Sequence, residues 1–282
     1  MQLTRSTVGK TYEGEPLEVT AELVELYADA TDFPTQLLEG GLAPPLFAVR
    51  PLVTVLFAAI LDEEVGIDLK RLVHGEQDMR FYAPIRVGDV VSASAVIDAI
   101  EERSSGETLL LVQRLKRDGQ LVCEAKSNLF VRALDPPSKK GDAAHAASTS
   151  SAGASSPQVI HEEREDINRD QSLRYADASG DHNPLHKDPE FAKAAGLPDV
   201  ILHGLCTMAI TSRAVIQGPC NGNLQELSRL SVRFAKPVFP GQVLTTRVFS
   251  GKPTKSGMRY AFETTNGAGD AVLTKAIAEV SF

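Results

Sequence analysis

The sequence predicts an α+β protein made of two similar units, each an antiparallel sheet wrapped round one buried helix. Three observations carry this expectation. Three short sequence blocks occur twice, in the same order and at similar spacing. A stretch of small and polar residues separates the two copies. Within each copy, a long apolar segment precedes runs with strand character.

The repeated blocks are in register. Tyr27-Ala-Asp-Ala-Thr31 returns as Tyr175-Ala-Asp-Ala-Ser179, and Gly41-Leu42 returns as Gly196-Leu197. Arg80-Phe81, with Pro84 and then Gly88-Asp89, returns as Arg233-Phe234, with Pro237 and then Gly241-Gln242. Residues 133–158, rich in Ala, Ser and Pro, offer no apolar face to bury and read as a flexible tether. The expected organisation is a first unit at 1–132, a linker at 133–158 and a second unit at 159–282.

Each element has its own reason. A first helix is expected near Thr20–Ala30, where Leu23, Val24 and Tyr27 stand at helical spacing; its counterpart lies near Asp170–Ala178. The next segments, Leu46–Leu61 and Gly204–Ile216, are apolar on nearly all sides, so these helices should be buried. Strands are expected at Val90–Ile100, Thr108–Lys116 and Leu121–Val131, with partners at Val243–Ser250, Tyr260–Thr265 and Ala271–Val280. Gly119 and Gly267 mark the hairpin turns. A sheet wrapped round one buried helix is the hotdog arrangement, and two in tandem form a double hotdog.

Bulk properties remove several function classes. The chain has 282 residues, 43% of them hydrophobic, enough for two cores of ordinary size. Its net charge is −8 with no basic cluster, so nucleic acid is not an expected partner. The longest apolar run contains Arg50 and Pro51 and is too short to span a bilayer. Cys123, Cys206 and Cys220 are widely spaced and form no C-x-x-C pair, which fits a reducing cytosol. The first residues lack the pattern of a signal peptide, and the last four, Glu-Val-Ser-Phe, are not a peroxisomal address. A cytoplasmic location is therefore expected.

The densest chemical signal runs from Tyr175 to Ala192. Gly180 permits a turn that a Cβ would block. Pro184 pushes Asn183 toward an extended conformation and interrupts any helix. Asp181 and His186 are thus expected in a rigid loop rather than on a helix face. Asp188 can cap a short helix starting at Pro189, with Gly196 as its stop.

This stretch resembles a known family. Gly180-Asp181-x-Asn183-Pro184-Leu185-His186, with Tyr175 before it and Ala192 after it, is similar to the hydratase 2 signature of MaoC-like, (R)-specific enoyl-CoA hydratases. His203-Gly204-Leu205 matches the same family. The resemblance covers the second half and extends more weakly to the first, as in the two-domain, double-hotdog members. It implies reversible syn addition of water to a trans-2-enoyl thioester, giving the (3R)-hydroxyacyl thioester. Asp181 and His186 would be the acid–base pair. Asn183 would orient that pair or its water, and the Gly204 N–H would stabilise the enolate-like oxygen. An acyl-CoA thioester is the expected partner, a homodimer is expected by analogy, and neither cofactor nor metal is implied. Arg233 and Lys236 could meet CoA phosphates or serve in structural ion pairs.

The first half is an internal control. After Thr31 it reads Asp32-Phe33-Pro34-Thr35-Gln36-Leu37, with no counterpart of the motif, and Ala48-Val49 stand where the second half has His203-Gly204. One active site per chain is expected, with the first half shaping the acyl-chain pocket. His203 is read as structural rather than catalytic, His74 and Cys206 as packing residues and His182 as solvated. Other readings keep the fold but change the chemistry: a 3-hydroxyacyl-ACP dehydratase, a thioesterase, or a non-catalytic acyl-binding module. The thioesterase is disfavoured by the Asn-Pro-x-His loop, and the binding module by the intact pair.

Overall fold

Twelve strands join in one antiparallel sheet that curls round two central helices. The computed structural model describes residues 2–134 and 157–281. The first unit contains β1 (Thr11–Glu13), β2 (Leu17–Glu18), α1 (Ala21–Ala30), α2 (Val49–Ile60), β3 (Leu72–Phe81), β4 (Val90–Arg103), β5 (Gly106–Arg117) and β6 (Gln120–Arg132). The second contains β7 (Val159–Asp166), α3 (Gln171–Ser179), α4 (Pro189–Ala194), α5 (Gly204–Gln217), β8 (Leu227–Phe234), β9 (Val243–Phe249), β10 (Lys252–Pro253), β11 (Gly257–Asn266) and β12 (Ala271–Ser281). The main strand order is β1-β4-β5-β6-β3-β8-β12-β11-β9-β7, with β2 on β4 and β10 on β11. All but the first two and last two residues of the expected linker lie outside the described residues.

The two helix–strand sets repeat as expected, and both long helices are buried. In α5 every residue from Leu205 to Ile216 is buried. Its buried hydroxyls bond within the helix: Thr207 Oγ1 donates to the His203 carbonyl at 3.2 Å and Thr211 Oγ1 to that of Thr207 at 2.9 Å. In α2, Pro51 falls in the first turn, where no intrahelical N–H bond is lost. The preceding residues, Pro45–Ala48, form a 3-10 turn rather than the start of one continuous helix.

The structure departs from the sequence expectation at the seam between the units and at the second hairpin turn. Strands β3 and β8 were not anticipated, although their ends carry the repeated Arg-Phe pairs. They pair antiparallel from Glu76↔Arg233 to Arg80↔Arg229 and join the two units into a single sheet. The seam's ion pair is Arg229 with Asp78, at 2.6 Å, and Lys236 pairs with Asp270 at 2.6 Å. The second hairpin turn uses Gly269, not Gly267, in the left-handed region (φ 81°). Asn266 Oδ1 accepts from Ala268 and Asp270 N–H there, so the turn is one closed by an Asn side chain. In the first unit, by contrast, Asp118 and Gly119 both have positive φ (50° and 77°), as a two-residue hairpin of right-handed twist requires.

The Tyr-Ala-Asp-Ala repeat owes its two copies to contact between them. Helices α1 and α3 pack together, and the Tyr27 and Tyr175 rings lie 5.8 Å apart with their hydroxyls at 3.4 Å. Gln171 Nε2 donates to the Ala30 carbonyl at 2.7 Å, and Arg174 Nη1 to that of Asp29 at 2.5 Å.

A buried ionic cluster ties α5 to β7. The Arg213 guanidinium contacts Glu165 and, at 3.3 Å, Glu163, and it also donates to the Asp32 carbonyl. Burial, reinforced by Glu163 and opposed by Arg213, pushes the Glu165 carboxyl up to about 8. One proton between the two carboxyls leaves the cluster neutral against the single guanidinium. The folded state therefore holds this proton more tightly than the unfolded chain. Its stabilisation is complete below the ordinary carboxyl range and is lost as pH rises through about 8. Glu165→Gln should flatten that loss: native Tm falls between mildly acidic and alkaline pH, and the variant's falls less. Parallel Tm–pH curves for the two proteins would refute a protonated Glu165.

Candidate active site

The motif loop is built from successive local bonds. Gly180 ends α3 in the left-handed conformation (φ 81°). Asp181 N–H then donates to Ser179 Oγ at 3.2 Å, and Asn183 N–H donates to Asp181 Oδ1 at 3.1 Å. Asn183 Oδ1 accepts from Leu185 N–H at 3.0 Å and so caps a 3-10 turn, Pro184–His186. His186 thus sits on this single turn rather than in irregular loop. Asp188 Oδ1 accepts from Glu190 and Phe191 N–H at the start of α4, as expected, and Gly196 follows its end at φ 85°.

Asn183 acts here through the backbone. Its N–H steadies the Asp181 carboxylate, and its side-chain oxygen is spent on the turn that carries His186. That is Asx-turn chemistry, and it fixes the spacing of the two functional groups.

His186 is buried, and its Nδ1 lies 2.8 Å from the Ile201 carbonyl. A carbonyl can only accept, so Nδ1 carries the hydrogen and Nε2 keeps a lone pair. Asp181 is half-buried, and its carboxylate lies within 4.8 Å of a nitrogen of His186. Burial pushes the Asp181 carboxyl up from its ordinary range, against the pull of His186. Burial pushes the His186 imidazole down, against the pull of Asp181. Each group is thus moved toward its neutral form, as proton exchange with a neutral reactant requires.

His203 lies directly beside the pair, a placement that fits a structural role. Its ring stacks on His186 at 3.7 Å, and its Nε2 lies 3.0 Å from the Asp181 carbonyl. Its buried Nδ1 has no hydrogen-bond partner among the described residues. The signal in sequence was its place directly before the glycine that opens the buried helix. Asp181, His186 and His203 could together hold a metal by residue type, their ligand atoms lying within 4.8 Å of one another. Stacking opposes this, because the lone pairs of two near-parallel imidazoles run alongside each other rather than converge. His182 is exposed, with Nδ1 3.0 Å from Lys187 Nζ.

Gly204 is the first residue of α5, whose N-cap, His203, supplies no side-chain cap. The first N–H groups of this helix thus receive no cap from the His203 side chain. A Cβ on Gly204 would stand 3.2 Å from the Phe234 ring, so glycine lets that ring pack closely against the start of the helix. Val49 opens α2 in the first unit, after Ala48, as the repeat implied.

The first unit supports the loop. Arg50 Nη1 donates to the carbonyls of Asp177 and Ala178 at 2.7 and 2.8 Å, holding the end of α3 just before Gly180. A charge inside an otherwise apolar segment was the clue to this role. A cavity of about 130 Å³ lies away from the dyad and is lined by Ala43, Pro45, Phe81, Pro84 and Leu224 among others.

Comparison with known proteins points to one family. A family model described as MaoC like domain matches residues 152–275, and one described as FAS1-like, dehydratase domain region, matches residues 6–125. The chain is 32% identical over 204 residues to 3-hydroxyacyl-thioester dehydratase Y of Mycobacterium tuberculosis, covering 70% of this chain and 68% of that protein. It is 31% identical over 206 residues to the peroxisomal enoyl-CoA hydratase 2 of Arabidopsis thaliana, covering 70% and 64%. It is 30% identical over 217 residues to peroxisomal multifunctional enzyme type 2 of Mus musculus, covering 77% of this chain but 28% of that longer protein. The fold matches the crystal structure of a MaoC-like dehydratase from Phytophthora capsici with a TM-score of 0.77 at 21% identity, covering 99% of this chain and 97% of that one.

Proposed function

The chain belongs to the MaoC-like dehydratase family, and from that premise we propose that it hydrates trans-2-enoyl-CoA to (3R)-hydroxyacyl-CoA, reversibly. The observation that carries the proposal is the pairing of Asp181 with a His186 whose Nδ1 is committed to a carbonyl. Water adds its hydroxyl to C3, and C2 gains a proton. Asp181 and His186 take the proton from water and supply the one to C2. As negative charge moves to the thioester oxygen, the Gly204 N–H at the start of α5 stabilises it. His203 and Asn183 position the pair, and the first unit shapes the acyl end of the cleft.

CoA rather than a carrier protein is the proposed carrier. The Arabidopsis relative named for enoyl-CoA supports it, as does a net charge of −8 without a basic run for an acidic carrier. No described helix is long and apolar enough to cross a membrane. The three cysteines are free and buried, which supports a reducing compartment such as the cytoplasm.

The test is ultraviolet absorbance of the conjugated enoyl thioester with crotonyl-CoA, read beside a free-thiol assay and chiral analysis of the product. Loss of absorbance with a (3R) product and no thiol is expected. Thiol release would mean a thioesterase, and an unchanged spectrum would defeat the hydratase reading.

A further inference from the structure

Helix α3 delivers the chain to Asp181, and its last turn is short of donors. In a continuing α-helix the carbonyls of Asp177 and Ala178 would accept from the N–H groups of Asp181 and His182. The left-handed Gly180 ends the helix before that. Gly180 N–H still bonds the Ala176 carbonyl at 2.9 Å, but Asp181 N–H turns to Ser179 Oγ at 3.2 Å. The two remaining carbonyls are taken by one side chain of the other unit: Arg50 Nη1 donates to both, at 2.7 and 2.8 Å. Val53, one turn further along α2, completes the contact, 3.7 Å from where a Cβ on Gly180 would lie.

The repeat shows that this clasp is particular to the catalytic unit. At the end of α1 the matching carbonyls, of Asp29 and Ala30, are held by Arg174 and Gln171 of α3. The α1 residues that match Gln171 and Arg174 are Leu23 and Leu26, which have no side-chain donor. Arg50 fills that role from a different helix. The placement is unfavourable for the charge itself. Arg50 is half-buried in an otherwise apolar segment, burial pushes its pKa down, and among the described residues its bonds go to carbonyls rather than to a carboxylate. A leucine would burden the fold less. What the guanidinium adds is a fixed end to α3, where the carbonyls of a helix terminus best receive a cation.

We propose that Arg50 is a positioning residue for the hydration: by holding the last two carbonyls of α3 it fixes where the helix stops, and so where the Asp181 carboxylate stands relative to His186. The inference rests on the hydratase reading and adds to its machinery a residue of the first unit. Arg50 acts through Asp181 and not on the substrate. The turn that carries His186 has its own bonds, to Asn183 Oδ1 and to the Ile201 carbonyl, so loss of Arg50 moves one member of the pair against the other. A displacement of about 1 Å can lower a rate by about 10²-fold.

The experiment measures kcat and KM for crotonyl-CoA with the native protein, Arg50→Leu, Arg50→Lys, Asp181→Asn and the variant carrying both Arg50→Leu and Asp181→Asn, each well below its own Tm. Arg50→Leu should lower kcat by about 10–100-fold and leave KM within about threefold of native. Arg50→Lys keeps a charged donor and should stay within about fivefold of native kcat. Added to Asp181→Asn, Arg50→Leu should lower kcat by less than about threefold, because the carboxylate it positions is gone. A folded Arg50→Leu protein with native kcat would make the clasp structural only and overturn the proposal. A loss as large in the Asp181→Asn background as in the native one would overturn it too, since Arg50 would then act elsewhere. If Arg50→Leu does not fold, Arg50→Gln, neutral and shorter, is read by the same criteria. If the native protein hydrates no enoyl thioester, the hydratase reading fails and takes this inference with it; if it does and the folded variants match it, this inference fails alone.

Discussion

Asp181→Asn and His186→Ala each lower kcat for crotonyl-CoA hydration by about 10²–10⁴-fold, the range expected when a positioned acid or base is removed. The double variant loses little more than the worse single one, because the two groups serve one proton-transfer step and their effects are not additive. Both changes should leave Tm close to native. Asp181 pays a burial penalty in its charged form that Asn avoids, while its contact with Asn183 N–H can pass to the Asn side-chain oxygen. His186→Ala loses the bond to the Ile201 carbonyl and the stack on His203, so its Tm falls further than that of Asp181→Asn. Circular dichroism melts beside the kinetics check both parts. Activity within a few-fold of native in either folded variant would remove that residue from the chemistry.

Gly257→Ala should destabilise the fold by about 3–5 kcal/mol, at the top of the range for a single substitution. A Cβ there would stand 1.9 Å from the Val280 carbonyl oxygen, at a φ of 152°. The obstacle is backbone in the neighbouring strand, paired across at Ser281, so no side chain can move aside. Gly106 is its partner in the first unit. It opens β5 as Gly257 opens β11, and its Cβ would lie 2.1 Å from the Val131 carbonyl oxygen. Gly106→Ala should therefore cost about as much. Gly267→Ala is the control, since nothing lies within 4 Å of a Cβ there. Denaturant melts of the three proteins decide the matter, and a Gly257→Ala midpoint equal to that of Gly267→Ala would show that the strand ends can part freely.

The glycine pair also marks where the sequence stops being informative. Gly106 and Gly257 look like ordinary turn glycines in a list of residues, and only the facing strand makes them irreplaceable. The motif loop is the opposite case. Gly180, Asn183, Pro184 and Asp188 act on neighbours within a few positions, through φ limits, side-chain caps and a single 3-10 turn. Local rules of that kind are written in the chain order, so Asp181 and His186 could be brought together before any coordinates existed. The duplication was legible for a related reason: α1 and α3 carry the same residues because they pack on each other. Strand β3 and its pairing with β8 were not legible, since a seam between units depends on partners about 150 positions away that no local period reports. The same holds for the stack of His203 on His186, the reach of Arg50 across to the end of α3, and the buried hydrogen bonds of Ser127 with Gln77 and Gln113. By itself the sequence determined two hotdog units, one intact acid–base loop and the helix start that faces it. The tertiary structure decided which distant groups press on that loop, because packing and hydrogen bonding act across space between residues the chain keeps far apart.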